Sequence, residues 1–132
     1  MKTYVLDASA LMTFFENRPG ADKVEEILTT AADAQRPLAM SAVNWGEVYY
    51  SIWRAHGEKA ATAKLQDIAQ LPIQVFGVDM EMAMLAASLK VKYHLPYADG
   101  FAAALAQDRK ATLVTSDKDF RHVATAVKIL WV

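Results

Sequence analysis

The chain contains no cysteine among its 132 residues, which removes disulfides, thiolate nucleophiles and zinc–thiolate sites together. Its three histidines, His56, His94 and His122, are scattered and share no ligand spacing. A metal would therefore have to be held by oxygen or by an isolated imidazole. Glycine is scarce: five residues make neither a GxGxxG turn nor a phosphate loop, so a nucleotide cradled by Gly-rich backbone is not expected. No apolar run approaches the roughly 18 residues that suggest a membrane span. The N-terminus enters a strand-like segment directly, without a signal-peptide pattern. These absences lead us to expect a soluble, cytoplasmic protein with no membrane partner. The net charge of −1 exerts no global pull on nucleic acid, so a polyanionic substrate would depend on local patches.

What is present is globular. Hydrophobic residues make up 54% and charged residues 22% of the sequence, enough for one domain over residues 1–132 with a substantial core. No repeat, linker or low-complexity stretch divides it. The stretch TYVLDAS, from Thr3 to Ser9, is an apolar β-branched run that ends in a carboxylate and two small residues. Lacking polar alternation, it suits a strand covered on both faces. Asp7 would then stand at the strand's C-terminal end, the edge where open α/β sheets bind their ligands.

The rest of the chain repeats strand, cap and helix. Ser9 is expected to cap a helix over 10–16, and Asn17-Arg18-Pro19-Gly20 to break it before a second helix over 21–34. A short strand at 38–40 ends at Ser41, which caps a helix over 42–56. Gly57 stops that helix, a further one runs over 58–71, and Pro72 precedes a strand at 73–78. Asp79 caps a helix to about residue 93, His94-Leu95-Pro96 breaks the chain, and a helix follows over 97–108. Strands at 111–115 and 127–132 close the order, with a helical turn opened by Ser116 and Asp117 between them. Alternation of this kind argues for an α/β fold with a mostly parallel sheet and right-handed crossovers.

Asp7, Glu47, Asp99 and Asp117 each fall at a strand tip or in the first turns of a helix after a break. Taken singly, Asp99 and Asp117 are residues that helix N-termini prefer, and a Glu inside a helix is usually solvated. The coincidence carries the reading. Carboxylates gathered on one sheet edge repel, and a divalent cation relieves that repulsion more simply than proton uptake. Oxygen ligands without cysteine or paired histidine favour hard ions, Mg²⁺ or Mn²⁺, and such ions suit phosphodiester hydrolysis. Asn44 lies three positions before Glu47 and so shares its helix face. Ser9, Thr115 and Ser116 are hydroxyl residues near these acids whose default role is capping, with support of a site as the alternative. Asp79 and Asp119 read as ordinary cap or first-turn residues.

Four segments together resemble a known family: DASAL at Asp7, SAVNWGEV around Glu47, YADGFAAALA around Asp99 and TLVTSDKDF around Asp117. In order and over the whole chain they are similar to a PIN domain, specifically a VapC-type toxin ribonuclease of a type II toxin–antitoxin system. The resemblance implies a three-layer fold, with a five-stranded sheet in the order 3-2-1-4-5 and helices on both faces. It also implies Mg²⁺- or Mn²⁺-dependent endoribonuclease activity on RNA, a homodimer and a small cognate antitoxin. Position by position, Asp7, Glu47, Asp99 and Asp117 match the family's acidic quartet, as catalytic and metal-binding residues. Ser9, Asn44 and Thr115 match its polar accessories.

Rival readings fit less well. A haloacid-dehalogenase-like phosphatase needs a second Asp two residues after the first, where this chain has Ser9. A phosphoryl-transfer receiver needs an acceptor Asp at the tip of its third strand, and Val75-Phe76-Gly77 offers none. A catalytically silent PIN-like scaffold that only binds RNA or protein would share the same sequence pattern.

Overall fold

The computed structural model describes residues 2–132. Its five strands are β1 (Tyr4–Leu6), β2 (Leu38–Ser41), β3 (Ile73–Phe76), β4 (Thr112–Thr115) and β5 (Ile129–Trp131). Its α-helices are α1 (Ala8–Phe15), α2 (Ala21–Asp33), α3 (Ala42–His56), α4 (Glu58–Ala69), α5 (Met80–Tyr93) and α6 (Tyr97–Arg109), and a 3₁₀ turn covers Lys118–Val123. All strand pairs are parallel, in the order β3-β2-β1-β4-β5. The expected order and the expected elements are therefore present. Strands β3 and β5 are shorter than expected, their paired residues running over Ile73–Phe76 and Ile129–Trp131.

Side-chain alternation along β1 splits the core. Val5 faces a cluster built on α5 and α6 with Leu89, Phe101, Leu105, Leu113 and Phe120, whereas Leu6 faces one built on α1 to α4 with Leu11, Val24, Leu28 and Ile52. Both β1 residues are fully buried, as expected for a strand with helices on each side. Among the described residues no helix is long and apolar enough to cross a membrane.

Local chemistry sets the helix starts. Ser41 accepts from the Val43 N–H and Asp79 from the Met82 N–H, so both caps are as expected. The cap of α1 differs: Asp7, not Ser9, is its N-cap, accepting from the Ala10 N–H at 2.8 Å, and the helix begins at Ala8. Ser9 then lies within the first turn, its hydroxyl free to point back at the Asp7 carboxylate.

Helix α6 is buried without interruption from Asp99 to Ala106. Four alanines and one glycine in that span allow it to lie closely between the sheet and α5. Gly100 is the tightest point: a Cβ there would stand 2.8 Å from the Ala86 backbone oxygen of α5. Gly100→Ala must push the two helices apart, and the overpacking is expected to cost about 1–3 kcal/mol. Urea unfolding of the purified variant measures it, and an unchanged midpoint would refute the contact.

Candidate active site

The sheet's connectivity brings the acids together. β1 lies between β2 and β4, so successive connections leave it in opposite directions, and the crevice at the strands' carboxyl edge is the switch point of the fold. Asp7 follows β1, Glu47 lies in the second turn of α3 after β2, and Asp117 follows β4. Helix α6 precedes β4, which places its N-terminal turn, with Asp99, at that same edge.

Asp7 is 3% exposed and ringed by donors. Its Oδ2 accepts from the Thr115 hydroxyl at 2.6 Å, its Oδ1 accepts the Ala10 N–H, and the Ser9 hydroxyl lies 2.8 and 2.9 Å from the two oxygens. Burial nevertheless raises its pKa to about 6; the three donors pull it down and the charge of Asp117 adds to the rise. Thr115 is itself fully buried and accepts the Asp117 N–H at 2.9 Å, so one hydroxyl joins the carboxylate of β1 to the turn after β4.

Asp99 is the most perturbed group. Burial raises its pKa to about 8, helped by the Asp117 carboxylate, which repels its charge and accepts a hydrogen bond from its protonated form. The charges of Asp7 and Glu47 act on it in the same direction. All four expected acids thus share one electrostatic site. Asp119, read from sequence as an ordinary first-turn residue, also comes in: carboxylate oxygens of Asp99, Asp117 and Asp119 lie within 4.8 Å of one another. Asp117 keeps its capping role as well, accepting the Asp119 N–H at 2.9 Å.

Asn44 is 1% exposed. Its Nδ2 donates to Glu47 Oε1 at 2.8 Å and to the Ala98 carbonyl at 3.2 Å, tying the acid of α3 to the first turn of α6 beside Asp99. Its Oδ1 and the Oδ2 of Asp99 are buried acceptors with no donor. Orphaned buried acceptors are costly, and a cation is the species that satisfies oxygen atoms without bringing a donor. The set of carboxylate and amide oxygens fits a hard divalent ion.

The supporting hydroxyls fall into two groups. Ser9 and Thr115 touch Asp7 directly, whereas Ser116 does not bring its side chain to an acid. Its backbone N–H donates to Ser9 Oγ at 3.0 Å, and its hydroxyl accepts from buried Thr13 at 3.4 Å. Ser116 steadies Ser9 through its main chain. Thr13 carried no sequence signal, because a threonine on the inner face of an apolar helix is indistinguishable from packing.

The PIN domain family model matches residues 4–126, and the chain belongs to that family. Comparison with curated proteins gives no match. Solved structures share the fold. VapBC2 from Rickettsia felis bound to a DNA fragment from its promoter has a TM-score of 0.78 at 16% identity, over 98% of both chains. A toxin–antitoxin complex from Klebsiella pneumoniae has a TM-score of 0.67 at 22% identity, over 97% of this chain and 96% of the other. The sarcin–ricin loop cleaving toxin VapC20 from Mycobacterium tuberculosis has 0.69 at 17%, over 90% and 93%.

Proposed function

We propose that the chain is a divalent-cation-dependent endoribonuclease, a single PIN domain acting as the toxin of a toxin–antitoxin pair in the cytoplasm, with Mg²⁺ or Mn²⁺ as the ion and a homodimer as the working form. The observation that carries the reading is the convergence of Asp7, Glu47, Asp99 and Asp117 on one sheet edge, with two buried acceptors left unpartnered. The partners follow the solved relatives, several of which are toxin–antitoxin complexes and one a toxin that cleaves the sarcin–ricin loop.

Asp99, Asp7, Glu47 and Asp117 would hold the ion, with Asp119 at the exposed rim beside Asp117. Bound there, it supplies positive charge that offsets the carboxylates and stabilises charge building on a scissile phosphate. The chain's own work is positional. Thr115, Ser9 and the Ala10 N–H hold the Asp7 carboxylate in one orientation, and Asn44 holds Glu47 against the start of α6. Without a cation, Asp99 keeps a proton at neutral pH, so ion binding releases it.

The direct test incubates the purified chain with structured RNA in Mn²⁺ or Mg²⁺, with and without EDTA. Cleavage that EDTA stops is expected. Cleavage that survives EDTA overturns the metal dependence, and RNA binding without scission under every condition favours the scaffold reading. Thr115→Val removes the shortest hydrogen bond to Asp7 at nearly constant shape and is expected to lower the cleavage rate about 10–100-fold, the usual effect of losing support behind a ligand. Initial rates under identical Mn²⁺ measure it, and a rate equal to wild type would exclude Thr115 from orienting Asp7.

A further inference from the structure

The net charge of −1 leaves a polyanion dependent on cations grouped near the site, and one open hollow supplies them. It lies between the C-terminal end of α5, with Lys90, Val91 and His94, the link to α6, with Leu95 and Pro96, and the 3₁₀ turn, with Asp119. Its volume of about 520 Å³ falls within the range of about 300–1,000 Å³ that small-ligand sites occupy. Asp119 belongs both to this hollow and to the acid cluster, its carboxylate lying within 4.8 Å of those of Asp99 and Asp117. The hollow therefore borders the candidate cation site.

The two sides of that border differ in chemistry. Beyond Asp119 stand Lys90 and His94, and among the described residues neither forms an ion pair, the two salt bridges present being Arg18–Glu16 and Lys64–Asp67. Lys90 is nonetheless held: its Nζ donates to the Leu95 carbonyl oxygen at 3.2 Å. An ammonium has three donors, so two stay available to a phosphate, on a side chain whose freedom is already restricted. Buried Leu95 and exposed Val91 and Pro96 give the hollow an apolar surface beside an imidazole. A cation with spare donors next to an apolar seat and an aromatic ring matches one nucleotide, the phosphate on the first and the base on the second.

We propose that this hollow seats the nucleotide next to the scissile phosphate, with Lys90 holding its phosphate and His94 packing against its base beside Leu95 and Pro96. A strand whose scissile phosphate lies on the ion must continue away from the acids, and past Asp119 the hollow offers it cations. A loose phosphate would be satisfied by Lys90 alone and has no use for the apolar wall. The inference rests on the RNA-cleaving reading above and extends it by naming residues that position the substrate; neither residue is needed to hold the ion.

Steady-state cleavage of a fluorescein-labelled RNA hairpin by the full chain, in saturating Mn²⁺ over a series of NaCl concentrations, tests it on wild type, Lys90→Gln, Lys90→Arg, His94→Ala and His94→Phe. Mn²⁺ affinity and thermal melts are measured alongside. Lys90→Gln is expected to raise KM about tenfold with kcat within about twofold. It should also flatten the log–log dependence of kcat/KM on salt by about 0.7, the share of one single-strand phosphate contact, and Lys90→Arg should restore both. His94→Ala should raise KM about tenfold through loss of a base stack, and His94→Phe should restore it. Mn²⁺ affinity should stay that of wild type in all four. A Lys90→Gln variant that melts lower and keeps the wild-type salt slope would make Lys90 a prop for the Leu95 carbonyl and overturn the phosphate contact. His94→Phe no better than His94→Ala overturns the base seat. Wild type that cuts RNA with a KM unmoved by any variant overturns the hollow and leaves the nuclease reading intact, whereas wild type that neither binds nor cuts the RNA overturns both.

Discussion

Asp99→Asn is expected to lower RNA cleavage on the order of 10³-fold, the equivalent of several kcal/mol of lost charge stabilisation, while raising the stability of the metal-free protein near neutral pH. The two effects have one cause. Asp99 is buried, faces Asp117, feels Asp7 and Glu47, and has its pKa pushed up to about 8. As an anion it is a ligand in poor surroundings, which only a cation makes favourable. An asparagine there imitates the protonated carboxyl, keeps the shape and removes the repulsion. A purely structural Asp99 would give the opposite pairing: the variant would lose stability and keep whatever activity the remaining fold allowed. Rates in saturating Mn²⁺ and thermal melts in EDTA, on the same preparation, separate the two outcomes.

Melting the cation-free wild type across pH should show stability falling as the solution becomes more alkaline. Asp7 and Asp99 hold their protons more tightly folded than unfolded, with values of about 6 and about 8 against an ordinary 3.8. Such groups contribute stability that is fully present below the unfolded value and is lost as pH rises through the folded ones. The loss should therefore be concentrated between roughly pH 4 and 8, each group contributing up to about 1.4 kcal/mol per pH unit. Mn²⁺ or Mg²⁺ should offset part of this loss, because only the ionised site binds it. At about a hundredfold excess over its Kd the ion adds about 2.7 kcal/mol, visible at pH near 8 and much reduced near 5. A melting temperature that rises with pH in EDTA, or a cation effect equal at both ends, would contradict the site's electrostatics.

The alternation of strands and helices was legible because each element carried its own period and its own stop. Ser41 and Asp79 announce the helices they cap, and Gly57 and Pro72 end theirs. Asp7 was legible for a related reason: three apolar residues with no polar alternation, followed by a cap, read as a strand covered on both faces. Its neighbourhood misled at one residue. Asp7 and Ser9 are both good caps, and which of them closes α1 depends on β4, because Thr115 claims the second oxygen of Asp7 and draws the Ser9 hydroxyl inward. Nothing local records a hydrogen bond spanning 108 residues.

Asp119 was undervalued for a similar reason. From sequence it is a first-turn acid like Asp79, and only the folded position of the 3₁₀ turn brings its carboxylate to Asp99 and Asp117. Proximity alone could not tell how Ser116 contributes: its side chain turns to Thr13 while its main chain supports Ser9. The two orphaned oxygens, Asn44 Oδ1 and Asp99 Oδ2, could not be foreseen at all. Spacing places Asn44 on the face of Glu47, but an unsatisfied acceptor is a property of everything packed around it.

In the proposed function these carboxylates form one divalent-cation site, and that site cuts RNA. Titrating Mn²⁺ into wild type and Asp99→Asn, with cleavage of a structured RNA followed in the same samples, tests it most directly. Cleavage by wild type is expected to appear only as the ion binds, and the Asp99→Asn variant to lose binding and cleavage together. Cleavage that precedes ion binding, or that persists in the variant after binding is lost, would contradict it.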